Sequence, residues 1–473
     1  MKNRIGVKLS SLLILIGSGT TIEVTAVEKP VRVFILSGQS NMVGAGAVTG
    51  RGSRWGDEFS EVEVSVYAES YDPELDYDQL DPIKTKKLES FGGTKPTPYP
   101  GGGTQVVRGF VEMKTSGIYE FRPGYGGSTV NLMEVDGKEA HRKEPGKESL
   151  HHDIKLEAGQ KVPFKITYLT DDANGLGWFA QLDVPGALST LVKYQGKYPY
   201  LMNDKGQWVK RDDVFYKGVV TATGSDWLNP LAGGGRIGPE LGFGTVVGDE
   251  MDVPVLILKT SQGNRALGWD FLPPGSERYE YKGKIFAGYK DSPMFWEKGS
   301  DPVKINWYAG KQYDECFGAA HEVLDNFDSQ FPQWKGRGYE IAGFAWWQGD
   351  KDRYTAGLAS RYEKNLVHLI KTLRSEFKAP EAKFVVATLG QSAKDAKPEN
   401  EQEQNEKWIL EGQLAVAGSA GKYPEFKGNV ATVYTHPLSQ GGASNSHYNG
   451  NAQTYMEVGL AMGQAMMKLL ESE

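Results

Sequence analysis

A serine stands at the end of a short hydrophobic run near the beginning of the chain. The stretch "VRVFILSGQSNMVGAG", residues 31–46, passes from β-branched residues into small and polar ones, with Ser40 at the corner. A serine placed where a strand turns into a helix projects its hydroxyl beside free backbone amides, which can hold a developing oxyanion. Gly38 would permit the tight turn, and Asn41 could donate a hydrogen bond nearby. Ser40 is therefore a candidate nucleophile; the alternative is that it only caps a helix.

The elements that would position this serine can be predicted from apolar runs. Five short runs without polar alternation predict strands buried on both faces, at residues 31–36, 253–259, 339–347, 383–389 and 429–434. Apolar residues at helical spacing predict helices at 354–377 and 452–470. Strands alternating with helices indicate an α/β fold with a parallel sheet, helices on both faces, and ligands gathered at the carboxyl ends of the strands.

Three polar clusters follow these strands and would converge on the edge that carries Ser40. They are "KTSQGNRALGWDF" after the second strand, "WWQGDKD" after the third, and "SNSHYNGNAQTYMEVGLAMG" at the start of the last helix. Because the carboxyl ends of parallel strands meet at one edge of a sheet, we expect these clusters to form one site.

More than 200 residues separate the first two predicted strands, far more than a crossover needs. Residues 61–194 read as short alternating strands with Gly, Asp and Asn turns, which indicates an inserted all-β sandwich. The catalytic domain would then comprise residues 27–60 and 195–473.

The N-terminus is typical of a secretory signal peptide. Residues 1–26 combine Lys2, Arg4 and Lys8 with a short apolar stretch and a Val-x-Ala site ending at Ala26, so we expect export and no membrane anchor. A formal net charge of -7 gives no electrostatic reason to expect nucleic acid or an anionic membrane as partner. The single cysteine, Cys316, excludes an intramolecular disulfide, and its helical surroundings favour a buried apolar role.

No cofactor is predicted. The histidines, carboxylates and lone cysteine show none of the spacings typical of zinc or calcium sites. No G-x-G-x-x-G follows a strand to hold a dinucleotide, and "GGG" at residues 233–235 lacks the Lys and Ser/Thr of a P-loop.

Five blocks in order carry a family resemblance. "LSGQSNM", "GRIGPELGFG", "TSQGNRALGWDF", "WWQGD" and "HYNGNAQTYMEVGLAMG" resemble the sialate O-acetylesterase domain family of carbohydrate esterases, within the SGNH hydrolase superfamily and close to the acetylxylan esterases. The resemblance implies a three-layer α/β/α sandwich and a secreted serine esterase that removes O-acetyl groups from carbohydrate. Within the insertion, residues 90–186 resemble the PA14-type β-sandwich module.

The resemblance implies roles for individual residues. Ser40 would be the nucleophile and His447 the general base, with His436 as the rival histidine. Many SGNH hydrolases carry Asp three residues before the histidine, where this chain has Ser444. In the acetylxylan branch an acidic residue of the "QGE" block orients the histidine.

The corresponding carboxylate here is Asp350 of "QGD", with Asp352 as second choice. The alternative for Asp350 is a helix cap near Tyr354.

The oxyanion hole would consist of the Ser40 and Gly263 amides and the Gln348 side chain. Asn264 stands where the family has a second glycine, and Asn tolerates the positive φ that such a turn needs. The candidates for substrate binding share a place beside these blocks; they are Gln39, Asn41, Asn264, Trp269 and Trp347. A core position is the alternative for Trp347.

Three functions are compatible with this pattern. The first is a carbohydrate O-acetylesterase acting on sialate or an acetylated plant or algal polysaccharide. The second is a non-catalytic glycan-binding protein on the same scaffold, in which Ser444 in place of the usual aspartate has abolished the triad. The third is a lipid or aryl esterase, which ranks below the others because the sequence shows no lid-like apolar helix. The sequence leaves oligomeric state open.

Overall fold

The computed structural model describes residues 28–50, 52–89, 103–123, 130–169 and 177–472. The predicted signal peptide, residues 1–26, lies outside the described residues. Within the described ranges, none of the helices combines the length and apolar character needed to cross a membrane.

The chain enters the fold through a central strand and the turn that carries Ser40. Its first elements are β1 (Val31–Gly38), α1 (Ser40–Val43) and β2 (Gly46–Ala47). Strand β1 is buried along almost its whole length, as its apolar run predicts.

Two antiparallel sheets follow, built from strands between residues 53 and 181. These strands are β3 (Ser53–Arg54), β4 (Phe59–Tyr67), β5 (Lys84–Lys87), β6 (Thr104–Glu112), β7 (Gly117–Pro123), β8 (Asn131–Val135), β9 (Lys138–Lys143), β10 (Leu150–His151), β11 (Ile154–Leu156), β12 (Lys161–Leu169) and β13 (Gly177–Gln181). Their orders are β10-β9-β8-β12-β6-β4-β5 and β11-β7-β13-β3. One apolar cluster joins Val107 and Phe164 of the larger sheet with Phe121 and Phe179 of the smaller one, so the sheets pack face to face. The predicted start of the insertion, residue 61, falls inside β4, and both β3 and the first residues of β4 precede it.

The rest of the chain alternates strands and helices. Its elements are β14 (Val214–Val220), β15 (Ser225–Trp227), β16 (Arg236–Ile237), α2 (Glu240–Glu250), β17 (Val255–Ser261), β18 (Tyr279–Tyr281), β19 (Lys284–Phe286), β20 (Phe295–Glu297), α3 (Lys311–Asp325), α4 (Phe327–Gln330), β21 (Tyr339–Trp347), α5 (Ala356–Ser360), α6 (Tyr362–Glu376), β22 (Lys383–Ala387), α7 (Glu401–Ala415), β23 (Val430–Val433) and α8 (Ala452–Leu470). Short 3-10 turns lie at Tyr77–Gln79, Pro199–Leu201, Pro332–Trp334, Asp352–Tyr354, Gly418–Ala420, Pro424–Phe426, His436–Leu438 and Ser444–Gly450, and a π-helical turn at Thr190–Tyr194.

The central sheet has the order β15-β14-β17-β1-β21-β22-β23. All neighbouring pairs are parallel except β14 with β15. Gly38 at the end of β1 lies opposite Ser261 of β17 on one side and Trp347 of β21 on the other. The three strands therefore end at the same level, which brings the segments that follow them to one edge.

Successive residues of β1 supply two different cores. Val33 and Ile35 join an apolar cluster with α3, α6 and α7, whereas Phe34 and Leu36 join one with α2 and α8. Helices therefore cover both faces of the sheet. The prediction of an α/β fold with a parallel sheet is confirmed at this level.

The helix predicted at 354–377 is interrupted. The structure has a 3-10 turn, then α5, then α6, with the break at Arg361. The pattern could not show this because apolar residues at helical spacing occur on both sides of the break. Gly357 in α5 packs against the Phe286 ring, where a Cβ would lie 2.0 Å from a ring carbon, so a side chain does not fit at this position.

Candidate active site

The Ser40 turn is a tight corner held by the neighbouring strand. Gly38 has φ +151°, and a Cβ there would lie 2.2 Å from the carbonyl oxygen of Trp347, so only glycine fits. The Gln39 amide donates to the same carbonyl at 3.2 Å. The N-cap position belongs to Gln39, and Ser40 is the first residue of the single turn α1. Ser40 therefore does not cap the helix, and its hydroxyl remains available for other chemistry.

Gly263 lies directly beside Ser40. A Cβ built on Gly263 would be 3.6 Å from the Cβ of Ser40. Asn264 has φ +56° and is exposed, which is the positive-φ turn that the sequence predicts for this position. Within the part of the chain that the structure describes, the amides of Ser40 and Gly263 donate to no protein acceptor. Two free backbone donors thus flank the serine, as an oxyanion hole requires.

Gln348 does not present an open donor in this structure. Its side chain is fully buried, and Nε2 donates to the carboxylate of Asp352 at 2.6 Å, to the Arg265 carbonyl at 2.9 Å and to the Gln39 side chain at 3.2 Å. This corrects the predicted oxyanion role: the amide that would face the substrate is already occupied. Gln348 instead ties together the loops after β17 and β21.

Gln39 belongs to the same hydrogen-bond network as Gln348. It is 2% exposed, and its Oε1 accepts from the amides of Gly349 at 3.3 Å and Lys351 at 3.2 Å. The predicted substrate contact is therefore replaced by an internal one for this oxygen. Gln39 fixes the loop after β21 against the residue that precedes Ser40.

Asp352 is held within the fold by the loop after β17. It is fully buried and accepts from the amides of Leu267 and Gly268, both at 2.8 Å, as well as from Gln348. Burial raises the pKa of Asp352 to about 6. The structure corrects its place as second choice for orienting His447, since both carboxylate oxygens face the loop after β17.

Asp350 faces the segment that carries the candidate base. The Ser444 hydroxyl donates to its Oδ1 at 3.3 Å and also contacts Gln391, while Arg353 Nε lies 2.8 Å from the same oxygen. Burial raises the pKa of Asp350, and the charge of Arg353 opposes this shift. Asp350 is therefore a largely buried carboxylate beside Ser444, three residues before His447.

His447 lies in a left-handed stretch that contacts the Ser40 turn. Residues 447–449 all have positive φ, near +50°. Asn41 donates to the Ser444 carbonyl at 3.4 Å, and the Tyr455 hydroxyl lies 3.4 Å from both the Asn41 side chain and the His447 carbonyl. Asn41, predicted to assist the substrate, thus joins the nucleophile turn to the histidine segment. The His447 side chain is half-buried, and among the described residues it makes no hydrogen bond to Ser40 or Asp350.

His436, the rival histidine, is held by the backbone. Its Nδ1 lies 2.8 Å from the Gly390 carbonyl oxygen, so it donates there. It follows β23 in the sheet order, two strands beyond β21, whereas the His447 segment contacts the Ser40 turn itself through Asn41. The assignment of the base to His447 therefore stays a prediction, and of the two histidines it is the one whose segment contacts the Ser40 turn.

The two tryptophans named as substrate contacts are core residues. Trp347 is fully buried, donates from Nε1 to the Thr388 carbonyl at 2.9 Å and stacks on Tyr448. Trp269 is 5% exposed and belongs to an apolar cluster with Leu358. Both predictions of sugar stacking are corrected, because both side chains are buried. Asn264 alone of the five candidates is exposed.

Arg353, the cation beside Asp350, is a site residue that the sequence did not predict. Arg353 is 4% exposed at its side chain and pairs with Glu406 as well as with Asp350. Its position three residues after Asp350 was visible, but Glu406 comes from α7 and only the fold brings it there. No group of three or more His, Cys, Asp or Glu side chains is placed to hold a metal ion within the described ranges.

Comparison with known families gives a match in the C-terminal part of the chain. Residues 294–468 match the family described as carbohydrate esterase, sialic acid-specific acetylesterase. The matched segment contains Gln348, Asp350 and His447. It confirms the family resemblance for this segment, which begins after Ser40 and Gly263.

Solved structures of low sequence identity are similar to this chain. A novel carbohydrate acetylesterase from Xanthomonas citri has 12% identity and a TM-score of 0.37, covering 78% of this chain and 72% of its own. The structure of NanS has 12% identity and a TM-score of 0.32, covering 94% and 99%. A protein from Arabidopsis thaliana has 15% identity and a TM-score of 0.32, covering 55% and 87%. Comparison with curated proteins gives no match.

Proposed function

We propose that this protein is a serine esterase that removes O-acetyl groups from carbohydrate through an acyl-enzyme. One observation carries the proposal: Gly263 lies beside Ser40, and in the described structure the backbone amides of these two residues have no protein acceptor. The family match of residues 294–468 supports the same class of reaction.

The first step would be attack of the Ser40 hydroxyl on the acetyl carbonyl. The oxygen of that carbonyl becomes negative in the tetrahedral intermediate, and the amides of Ser40 and Gly263 stabilise it there. Since Gln348 is occupied by internal partners, the proposed oxyanion hole contains two backbone donors. The acetyl group remains on Ser40 while the sugar leaves.

His447 would take the proton of Ser40 and return it to the departing sugar oxygen. Asp350 is the carboxylate proposed to balance the imidazolium, because it is internal and lies at the Ser444 hydroxyl, three residues before His447. Alignment of the triad for reaction would exchange the Ser444 or Arg353 contact of Asp350 for one to the histidine. Water activated by His447 then hydrolyses the acetyl-enzyme.

The proposed substrates are acetylated sialic acid and acetylated polysaccharides, and the proposed location is outside the cytoplasm. The family description supports sialate, and the apolar N-terminal segment supports export. We also place this active site on an SGNH-type three-layer scaffold, supported by the parallel sheet between helical layers. The inserted sandwich is proposed to be a PA14-like module.

Acetate release tests the proposal. The full chain is incubated with acetylated sialic acid and a panel of acetylated polysaccharides, beside Ser40→Ala and Asp350→Ala. We expect release by the wild type, none by Ser40→Ala and strongly reduced release by Asp350→Ala. If neither wild type nor Ser40→Ala releases acetate from any substrate, the proposed esterase function is contradicted.

The second candidate is a non-catalytic glycan-binding protein. It is favoured by one observation: Asp350 is paired with Arg353 and, among the described residues, the His447 side chain makes no hydrogen bond to Ser40 or Asp350. In that case sugar binding would be the same in wild type and Ser40→Ala, with no acetate formed.

A further inference from the structure

A lysine lies in the middle of the sheet, where apolar residues are the rule. Lys259 belongs to β17 and is 1% exposed. Val255 and Ile257, which precede it at alternate positions, belong to the apolar core shared with α2 and α8. Lys259 thus replaces a core hydrophobe at the end of a strand that leads to Gly263. A charge this deep is unfavourable unless fully partnered, so its contacts define its role.

Two of these contacts are hydrogen bonds. Lys259 Nζ donates to the Val43 carbonyl at 2.9 Å and to the Glu240 carboxylate at 2.8 Å. The ammonium also lies 5.3 Å from the centre of the Tyr216 ring. Val43 is the last residue of α1, the turn that Ser40 begins. Lys259 therefore satisfies a carbonyl at the carboxyl end of this turn, where a cation is favourable.

Glu240 connects the pair to the segment beneath Ser40. It is 4% exposed and begins α2, and its Oε1 accepts from the Gly238 amide at 2.9 Å. Gly238 packs on the residue after α1: a Cβ on Gly44 would lie 2.5 Å from the Gly238 nitrogen. The block "GRIGPELGFG" thus supports the nucleophile turn from below, a role the catalytic scheme does not otherwise give it.

We propose that Lys259 and Glu240 are positioning residues that hold the Ser40 turn at the correct distance from Gly263. This rests on the esterase function proposed above. The pair acts at the carboxyl end of α1, and Gly38 against Trp347 acts at the other end. With both ends of α1 fixed, the free amides of Ser40 and Gly263 can donate to the same oxyanion. Without the pair, α1 can shift while the fold remains.

The test replaces both charges together. Lys259→Met with Glu240→Gln leaves no unpaired charge, and the introduced glutamine side chain still offers an acceptor to the Gly238 amide. A shift of the nucleophile by about 1 Å reduces acyl transfer by up to roughly a hundredfold. We expect kcat for p-nitrophenyl acetate to fall tenfold to a hundredfold and KM to change less than about threefold. If the double variant fails to fold, Lys259→Gln with Glu240→Gln, which also leaves no unpaired charge, should shift kcat in the same direction.

Arg374→Met is the matched control. Arg374 is also a buried cation that donates to backbone carbonyls, those of Ala382 and Asn429, both at 2.9 Å. These residues precede β22 and β23, at the sheet edge opposite Ser40. If Arg374→Met lowers the melting temperature as much as the Lys259 and Glu240 double variant does, it should still keep the wild-type kcat. An equal loss of kcat in this control, or none in the Lys259 and Glu240 variants, would overturn the positioning role.

Hydrogen exchange separates this proposal from the esterase function. The amides of Val43 and Gly44 are each bonded within the turn at 3.0 Å, so their exchange reports whether α1 is held. We expect faster exchange of these amides in the double variant and unchanged exchange in Arg374→Met. A wild type inactive on every ester contradicts the esterase, whereas unchanged exchange in the double variant contradicts the positioning role.

Discussion

Replacement of Gly263 by alanine separates catalysis from folding in this molecule. The added Cβ would lie 3.6 Å from the Cβ and 4.0 Å from the Cα of Ser40, which is ordinary van der Waals contact. Gly263 does not have a positive φ, so alanine is allowed there. The fold should accept the change. The methyl group, however, occupies the gap between the serine and the amide that would hold the oxyanion.

The magnitude follows from these two facts. Gly→Ala at a compatible position stabilises a protein by about 0.4–1 kcal/mol through the unfolded state. Loss of one oxyanion donor raises the barrier by about 2.7–4 kcal/mol, or 10²–10³ in kcat. Because the alanine methyl group obstructs the Gly263 amide and does not remove it, this loss is an upper limit. Gly263→Ala should therefore unfold at the same or a higher temperature than wild type, while kcat falls by at most about a thousandfold.

The assay is the rate of acetate release at saturating substrate, with thermal unfolding measured on the same samples. Gly318→Ala is the control, because Gly318 lies exposed in α3 and a Cβ there meets no atom within 4 Å. Helix propensity predicts that this control gains up to about 1 kcal/mol and keeps full activity. If Gly263→Ala keeps the kcat of the wild type, the proposed oxyanion hole is refuted.

Three other changes test separate parts of the account. Arg353→Met removes the cation that lowers the pKa of Asp350, so this pKa should rise further. The acid limb of the pH profile of kcat/KM should then move to higher pH. An unmoved acid limb would argue against Asp350 as the orienting carboxylate. Asp352→Asn loses an acceptor for buried amides, and urea unfolding should show a loss of about 1–3 kcal/mol. The raised pKa of Asp352 means that its protonation stabilises the fold below pH 3.8 and that this contribution is lost as pH rises through about 6, a dependence the variant should lack. Burial raises the pKa of Cys316 to about 11, so Cys316→Ala should release acetate at the wild-type rate, and a loss would return the thiol to consideration.

The sheet could be predicted from the sequence because its strands are buried on both faces. The five predicted strands all occur, and the last helix was predicted with the observed bounds. Strand β14, Val214–Val220, was missed because its pattern "VFYKGVV" mixes apolar residues with a lysine and a glycine. It is the second strand from the edge, and only its pairing with β17 shows its place.

The backbone part of the site was also predictable. Glycine at 38 and 263 and asparagine at 264 signal close approach and positive φ, and each position has the geometry or contact that its residue type suggests. Side-chain roles were harder. Gln348 and Trp347 have donors or rings suited to a substrate, but the fold supplies internal partners from distant segments. The sequence spacing of these residues carries no information about such partners.

In the proposed reaction, Ser40 carries the acetyl group between the departure of the sugar and the attack of water. The direct measurement is the intact mass of the protein, quenched with acid shortly after mixing with p-nitrophenyl acetate, followed by peptide mapping. We expect one added acetyl group, located on Ser40, and a burst of p-nitrophenol of matching size. Neither should occur in Ser40→Ala. Steady acetate release without a burst and with no acetyl on Ser40, or an acetyl group on another residue, would contradict the proposed reaction.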